Sequence, residues 1–243
     1  MKKLNIDLSN VRDVHEEPAS VSIISGITNL KTIINIRDFS LEVLLDILVE
    51  TNKRGAHMSR LIEGIRLNNN NHDYIENILR NACKTISEKL NSKCIIRASF
   101  SYPLNYSDQF LDVNIEVSNY NDSIKYTFKK IGITACPCSK ELINIGHMQR
   151  VVLTVELTSN EILDFNEVAK KIDECFSASP SEYLKRIDEA ELIIKSQENP
   201  KFVEDVVRDC FKKFPYANKI TANAFESIHS HDAYAEWSKN NKI

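Results

Sequence analysis

Residues 94–118 read CIIRASFSYPLNYSDQFLDVNIEVS, and this stretch decides the fold class. In 110–118 apolar and polar residues alternate, so Leu111, Val113, Ile115 and Val117 share one face of a strand and Asp112, Asn114 and Glu116 the other. Residues 94–102 fit a second strand. Upstream, 39–49 (FSLEVLLDILV) puts Phe39, Leu41, Val43, Leu45, Ile47 and Val49 on one face; the run is rich in Leu and also fits a helix, but a strand is preferred, with a partner strand at about 23–37. Between these pairs the period changes to helical. One helix is expected from about Ser59 to Leu67. A second, over 72–91, carries Ile75, Ile78, Leu79, Ala82, Ile86 and Leu90 on one stripe, with the asparagines at 68–71 as the break. The pattern then starts again: strands at 125–134 and 150–158, helices at 161–176 and from Pro200 onward, and strands at 218–227 and 232–238. A β-β-α-α-β-β order occurring twice predicts an α+β fold with antiparallel sheets and helices on one face. The expected organisation is an irregular arm at 1–20 and two halves, 21–121 and 122–243. An extra segment, about 180–199, lies between the helices of the second half.

The chain has 243 residues, 42% hydrophobic and 27% charged, which suits a globular protein and excludes collagen-like, disordered and disulfide-scaffold classes. Lys and Arg total 31 against 34 Asp and Glu, a net charge of −3. Nucleic acid is therefore not expected as a partner, although a local cluster of cations can still hold a small anion. No run of about 18 apolar residues is present, so no membrane partner is expected, and the start lacks the apolar core of a signal peptide. A cytoplasmic location with reduced thiols follows as an expectation. Cys83, Cys94, Cys175 and Cys210 sit in apolar or helical surroundings and read as small hydrophobes.

Four stretches carry chemistry. In Cys136-Pro137-Cys138-Ser139-Lys140, followed by His147 and Arg150, a thiolate and an imidazole eleven residues apart, on a loop before a strand, can reach one divalent ion. A buried structural cysteine pair is the plainer reading of the same spacing. In Glu226-Ser227-Ile228-His229-Ser230-His231-Asp232, the two histidines would share a face of a strand; the alternative is an exposed polar strand end. Lys53-Arg54-Gly55-Ala56-His57-Met58-Ser59-Arg60 joins a strand to a helix. Ser59 could cap that helix, whose amides favour phosphate, or the stretch is a solvated basic turn. Glu198 to Asp205 (ENPKFVED) places acids in a first helical turn, where they would also offset the helix dipole. His15 and His72 match no motif and read as ordinary surface residues.

Taken in order, RGAHMSR (54–60), CPCSKE (136–141), H-x-Q-R (147–150), ENPKFVED (198–205) and ESIHSH (226–231) resemble the type IB GTP cyclohydrolases of the tunnelling-fold superfamily, the bacterial branch in particular. The resemblance implies a tandem tunnelling fold. It also implies a homotetramer with active sites at subunit interfaces, and GTP as substrate. The implied reaction releases carbon 8 of the purine as formate and yields 7,8-dihydroneopterin triphosphate, the first committed step toward tetrahydrofolate. The alternative within the superfamily is another enzyme of pterin or deazapurine metabolism. Carried over by position, the metal ligands are Cys136, His147, Glu189 and His229, with His231 as the nearby competitor for the last, holding a divalent ion that is zinc, iron or manganese. Glu204 would anchor the purine through a bidentate pair of hydrogen bonds. His57, Ser59, Arg60, Lys140 and Arg150 would bind the rest of the substrate, and His231 or Cys138 would move protons. The family usually has Gly-Ala-His-Asn-Gln-Arg where this chain has Gly146-His147-Met148-Gln149-Arg150, one residue shorter.

Overall fold

The computed structural model describes residues 11–69 and 72–240. Eight strands form one antiparallel sheet in chain order: β1 (Pro18–Asn35), β2 (Ser40–Lys53), β3 (Cys94–Pro103), β4 (Phe110–Ser118), β5 (Ile124–Ala135), β6 (Met148–Ser159), β7 (Lys219–Ala224) and β8 (Ala233–Ser238). The helices are α1 (Met58–Asn68), α2 (Ile75–Leu90), α3 (Pro137–Ile143), α4 (Phe165–Asp173), α5 (Arg186–Glu198) and α6 (Val203–Lys213). The alternation in β4 survives as burial, with Leu111, Val113, Ile115 and Val117 facing inward. The two halves join edge to edge, Asp112 opposite Lys129 and Glu116 opposite Lys125, and one hydrophobic core runs across both. Phe100, Tyr102, Tyr126, Phe128 and Phe165 cluster at that junction. The four cysteines read as hydrophobes, Cys83, Cys94, Cys175 and Cys210, are all buried.

Local chemistry explains the helix ends. Asp164 caps α4 by accepting from the amides of Asn166 and Glu167 at 2.8 and 3.3 Å. That cap starts α4 at Phe165, later than the 161 expected. Asn91 and Asn144 adopt left-handed φ values of 50° and 60° and end α2 and α3. In β5, Gly132 is obligatory: a Cβ there would lie 2.0 Å from the Phe176 ring, which packs flat on the strand.

Four expectations need correction. The irregular arm ends earlier than residue 20, because β1 begins at Pro18 and a 3-10 turn occupies Val14–Glu16; residues 1–10 lie outside the described part. CPCSKE is not a loop but the start of α3, with Pro137 at its first position, where the missing N–H costs nothing. Pro200 does not open α6. Residues 199–202 stay outside the helix: Lys201 N–H donates to Ala135 O and Asn199 Nδ2 to Phe176 O, which bind the segment to neighbouring backbone. His229 and His231 are not on a strand: β7 stops at Ala224 and β8 starts at Ala233, leaving both in the bend between.

Candidate active site

Cys136 follows the last residue of β5 and sits at the N-cap of α3. Its N–H donates to His147 O at 2.9 Å, and His147 N–H donates to Ser139 Oγ at 3.1 Å, so the thiolate and the imidazole leave neighbouring backbone positions. Gly146 permits this approach, since a Cβ there would stand 2.6 Å from Cys136 O. The Gln197 side chain clamps the same glycine from α5, accepting from its N–H at 2.8 Å and donating to its carbonyl at 2.9 Å. Lys140 Nζ donates to Gln197 O, and Ser196 Oγ touches Met148 Sδ at 3.3 Å. The inserted segment thus docks its C-terminal turn on the loop that carries His147.

From β7 comes the other wall. Phe225 N–H donates to Arg150 O, extending the pairing past the strand end. Glu226 then lies 4.0 Å from His147 Nδ1 and accepts from Gln149 Nε2 at 3.4 Å, while Ser227 Oγ is 3.3 Å from His147 Nδ1. His147 and Glu226 are mostly buried, and Cys136 is half-buried. His229 and His231 stack on each other, ring centroids 4.9 Å apart at 11°, in the exposed bend beyond. Cys138 and Glu189 are exposed, on α3 and on the first turn of α5. In one chain no three of Cys136, His147, Glu189 and His229 bring their ligand atoms within 4.8 Å of one another; among the described residues Asp13, His15 and His57 do. A cysteine, two histidines and a glutamate are donor types that, brought together, would suit a borderline divalent metal such as zinc or ferrous iron.

Glu204 is exposed on the first turn of α6, and its carboxylate has no hydrogen-bond or ion-pair partner among the described residues. The residues around it are fixed. Lys201 is buried and donates to Cys175 O at 3.1 Å, Glu174 O at 3.3 Å and Asp209 Oδ2 at 2.8 Å, while Asp205 accepts from Phe202 N–H at 3.1 Å. ENPKFVED therefore contains a structural lysine and a free carboxylate side by side.

RGAHMSR lies in the other half. His57 is the N-cap of α1, and neither it nor Ser59 caps the helix with a side chain, which corrects that role for Ser59. Backbone pairing of Arg54 N–H with Glu17 O and Gly55 N–H with His15 O lays the 12–17 segment on this loop. Glu16 then meets His57 Nε2 at 2.7 Å, Arg60 at 3.6 Å and Lys53, and Glu17 meets Arg54 at 2.8 Å. Hydrogen bonds from Lys53 and then His57 hold the Glu16 carboxyl below the usual range. A cavity of about 240 Å³ opens beside His57, lined by Glu50, Thr51, Lys53, Gly55 and Asn91 among others. Arg150 is exposed on β6. Sequence reading missed Gln197 altogether, and it quoted Gly146, Glu226 and Ser227 within their motifs without placing them around His147. Only Glu226 and Ser227 had a visible signal, their place next to the H-x-H.

Comparison with known proteins comes from two directions. A family model described as "Type I GTP cyclohydrolase folE2" matches residues 11–235. The GTP cyclohydrolase FolE2 of Geobacter metallireducens is 32% identical over 212 residues, covering 78% of this chain and 78% of that protein. FolE2 of Fervidobacterium nodosum is 34% identical over 200 residues, covering 75% and 76%. The GTP cyclohydrolase MptA of Korarchaeum cryptofilum is 32% identical over 258 aligned positions, covering 94% and 92%.

Proposed function

The chain belongs to the type I GTP cyclohydrolase FolE2 family, and on that basis we propose that it opens the purine ring of GTP at carbon 8. The products are formate and 7,8-dihydroneopterin triphosphate, which feeds tetrahydrofolate synthesis. The observation that carries this reading is the convergence of CPCSKE, H-x-Q-R, ENPK and ESIH on the ends of β5, β6 and β7. The names of the related proteins do not favour another pterin or deazapurine enzyme. No described helix is long and apolar enough to cross a membrane.

Cys136, His147, Glu189 and His229 would hold the divalent ion, zinc, iron or manganese. Bound there, such an ion supplies the Lewis acidity that makes water nucleophilic near neutral pH. Ser227 would orient the His147 ring through its contact with Nδ1, the kind of partner that fixes a ligating imidazole's tautomer, with the Glu226 carboxylate 4.0 Å away. The unpaired Glu204 carboxylate accepts two parallel hydrogen bonds from the guanine ring N–H and exocyclic amine, pinning the base. His231 or Cys138, both exposed next to the ligands, carries a proton to the imidazole-ring nitrogen of the base. His57, Ser59, Arg60, Lys140 and Arg150 hold the ribose and triphosphate. RGAHMSR sits on the first half and the other motifs on the second, which supports a site shared between subunits, in this reading those of a homotetramer. Exposed apolar residues next to the second group of motifs, Leu142, Ile143, Ile145, Ile187 and Ile194, give such an interface its hydrophobic surface.

Metal-loaded protein incubated with GTP should release one formate per pterin, read by formate assay and by fluorescence of the oxidised pterin. Absence of formate under metal saturation would overturn the assignment.

A further inference from the structure

Asp13, His15 and His57 offer one ligand atom each, and these atoms lie within 4.8 Å of one another. They come from separate parts of the chain: Asp13 and His15 from the 3-10 turn before β1, and His57 from the start of α1. We propose that this cluster is a second divalent-cation site, distinct from the Cys136 centre, of the two-imidazole, one-carboxylate type.

Four observations carry it. The ring of His15 lies over Gly55: a Cβ there would stand 2.6 Å from His15 Cδ2, so the glycine leaves room for the imidazole in this position. The backbone bonds Gly55 N–H to His15 O and Arg54 N–H to Glu17 O hold the turn in register, and the two rings lie 5.0 Å apart. Next, Glu16 Oε1 stands 2.7 Å from His57 Nε2, the outer carboxylate that ligating imidazoles use to fix their tautomer and raise their basicity. Finally, the surrounding cations are neutralised elsewhere. Lys53 and Arg60 pair with Glu16, and Arg12 and Arg54 with Glu17. Asp13 has no lysine or arginine partner among the described residues, only His15, so its charge is available to an ion.

Two donors about 2.1 Å from one ion stand roughly 3–4 Å apart, so the cluster needs a closing movement of about 1 Å. The side chains of Asp13 and His15 are each 51% exposed and free to make it, while His57, 10% exposed, stays fixed. With three protein ligands the ion keeps open positions. Imidazole donors select zinc, cobalt, nickel or copper over magnesium and calcium.

Cobalt(II) binding to the metal-free full-length protein tests this, measured by dialysis with metal analysis and by absorption spectroscopy. The wild type should take up two cobalt ions per chain, and His15→Ala and Asp13→Asn should each weaken one of them at least tenfold. Cys136→Ser should keep the ion lost in His15→Ala while losing thiolate-to-cobalt charge transfer in the near ultraviolet. Wild type that binds a single ion, lost in Cys136→Ser and kept in His15→Ala, would overturn the proposal. So would unchanged stoichiometry and affinity in both His15→Ala and Asp13→Asn. A single ion lost in His15→Ala and kept in Cys136→Ser would support it and count instead against the Cys136 centre. Circular dichroism of each variant separates loss of a ligand from loss of fold.

Discussion

The two helices α2 and α6 begin alike and end up in opposite environments. Tyr74-Ile75-Glu76-Asn77 opens one, and Phe202-Val203-Glu204-Asp205 opens the other, with an arginine four residues after each glutamate, Arg80 and Arg208. In both, the first apolar residue is buried under the sheet. Yet Glu76 is 1% exposed and accepts from Tyr126 Oη at 3.0 Å, whereas Glu204 stands in solvent. The cause is the neighbouring strand of the sheet. Beyond the first half comes β5, whose Tyr126 closes over the glutamate; the second half ends at β8, and among the described residues no strand lies beyond it. One sequence pattern thus gives a sealed structural carboxyl where the halves join and an open carboxylate at the free end. Only the second is open to a ligand from solvent.

The largest expected effect separates the two directly. Glu204→Gln should weaken GTP binding at least about 100-fold, since two charge-assisted hydrogen bonds at about 1.5–3 kcal/mol each are lost or inverted. Glu76→Gln should leave GTP binding within a factor of two, as isothermal titration would show. Equal effects would erase the distinction.

Next in size, Tyr126→Phe strips the buried Glu76 of its donor and should cost about 1–3 kcal/mol in urea unfolding. No substitution at the exposed Glu204 should cost as much.

A smaller effect depends on pH. Burial holds the Glu76 carboxyl above its ordinary value of 4.5, outweighing the hydrogen bonds from its own backbone and Tyr126 that act the other way. The folded chain therefore binds this proton more tightly than the unfolded chain does, and stability falls as pH rises through the folded value. Glu76→Gln should accordingly gain stability relative to wild type as pH rises above the ordinary glutamate value of 4.5, with the gain gone at more acid pH. A gain that persists at pH 3 would contradict the burial argument.

The smallest concerns the surface of α6. Arg208 pairs with Asp205 at 3.1 Å in the open, and Arg208→Ala should change stability by less than about 0.5 kcal/mol.

Much of the fold was legible in the sequence. The strands declared themselves because one face of the sheet is buried, which forces alternation at Leu111 to Val117 and at Leu41 to Val49. The long helices did so through their stripes. What stayed hidden was decided by contacts remote in sequence. α5 buries little beyond Ser196, so it has no stripe to read. α3 is seven residues long, shorter than any period reveals. Residues 199–201 resist helix because of the end of β5, and His15 comes to lie beside His57 through the pairing of Gly55 N–H with the His15 carbonyl. The site divides the same way. The motif residues were readable as types, but the support of His147 by Gln197, Gly146 and Glu226 exists only once β5, β6, β7 and α5 are assembled.

X-ray absorption at the zinc edge tests the central claim, that a sulfur from the middle of the chain and an imidazole from its end hold one ion. The measurement is made on zinc-loaded His15→Ala protein, so that only the Cys136 centre is filled. The account predicts one sulfur at about 2.3 Å with nitrogen and oxygen donors at about 2.0–2.2 Å, the sulfur lost in Cys136→Ser and one nitrogen in His229→Ala. A coordination sphere without sulfur, or one unchanged by both substitutions, would contradict it.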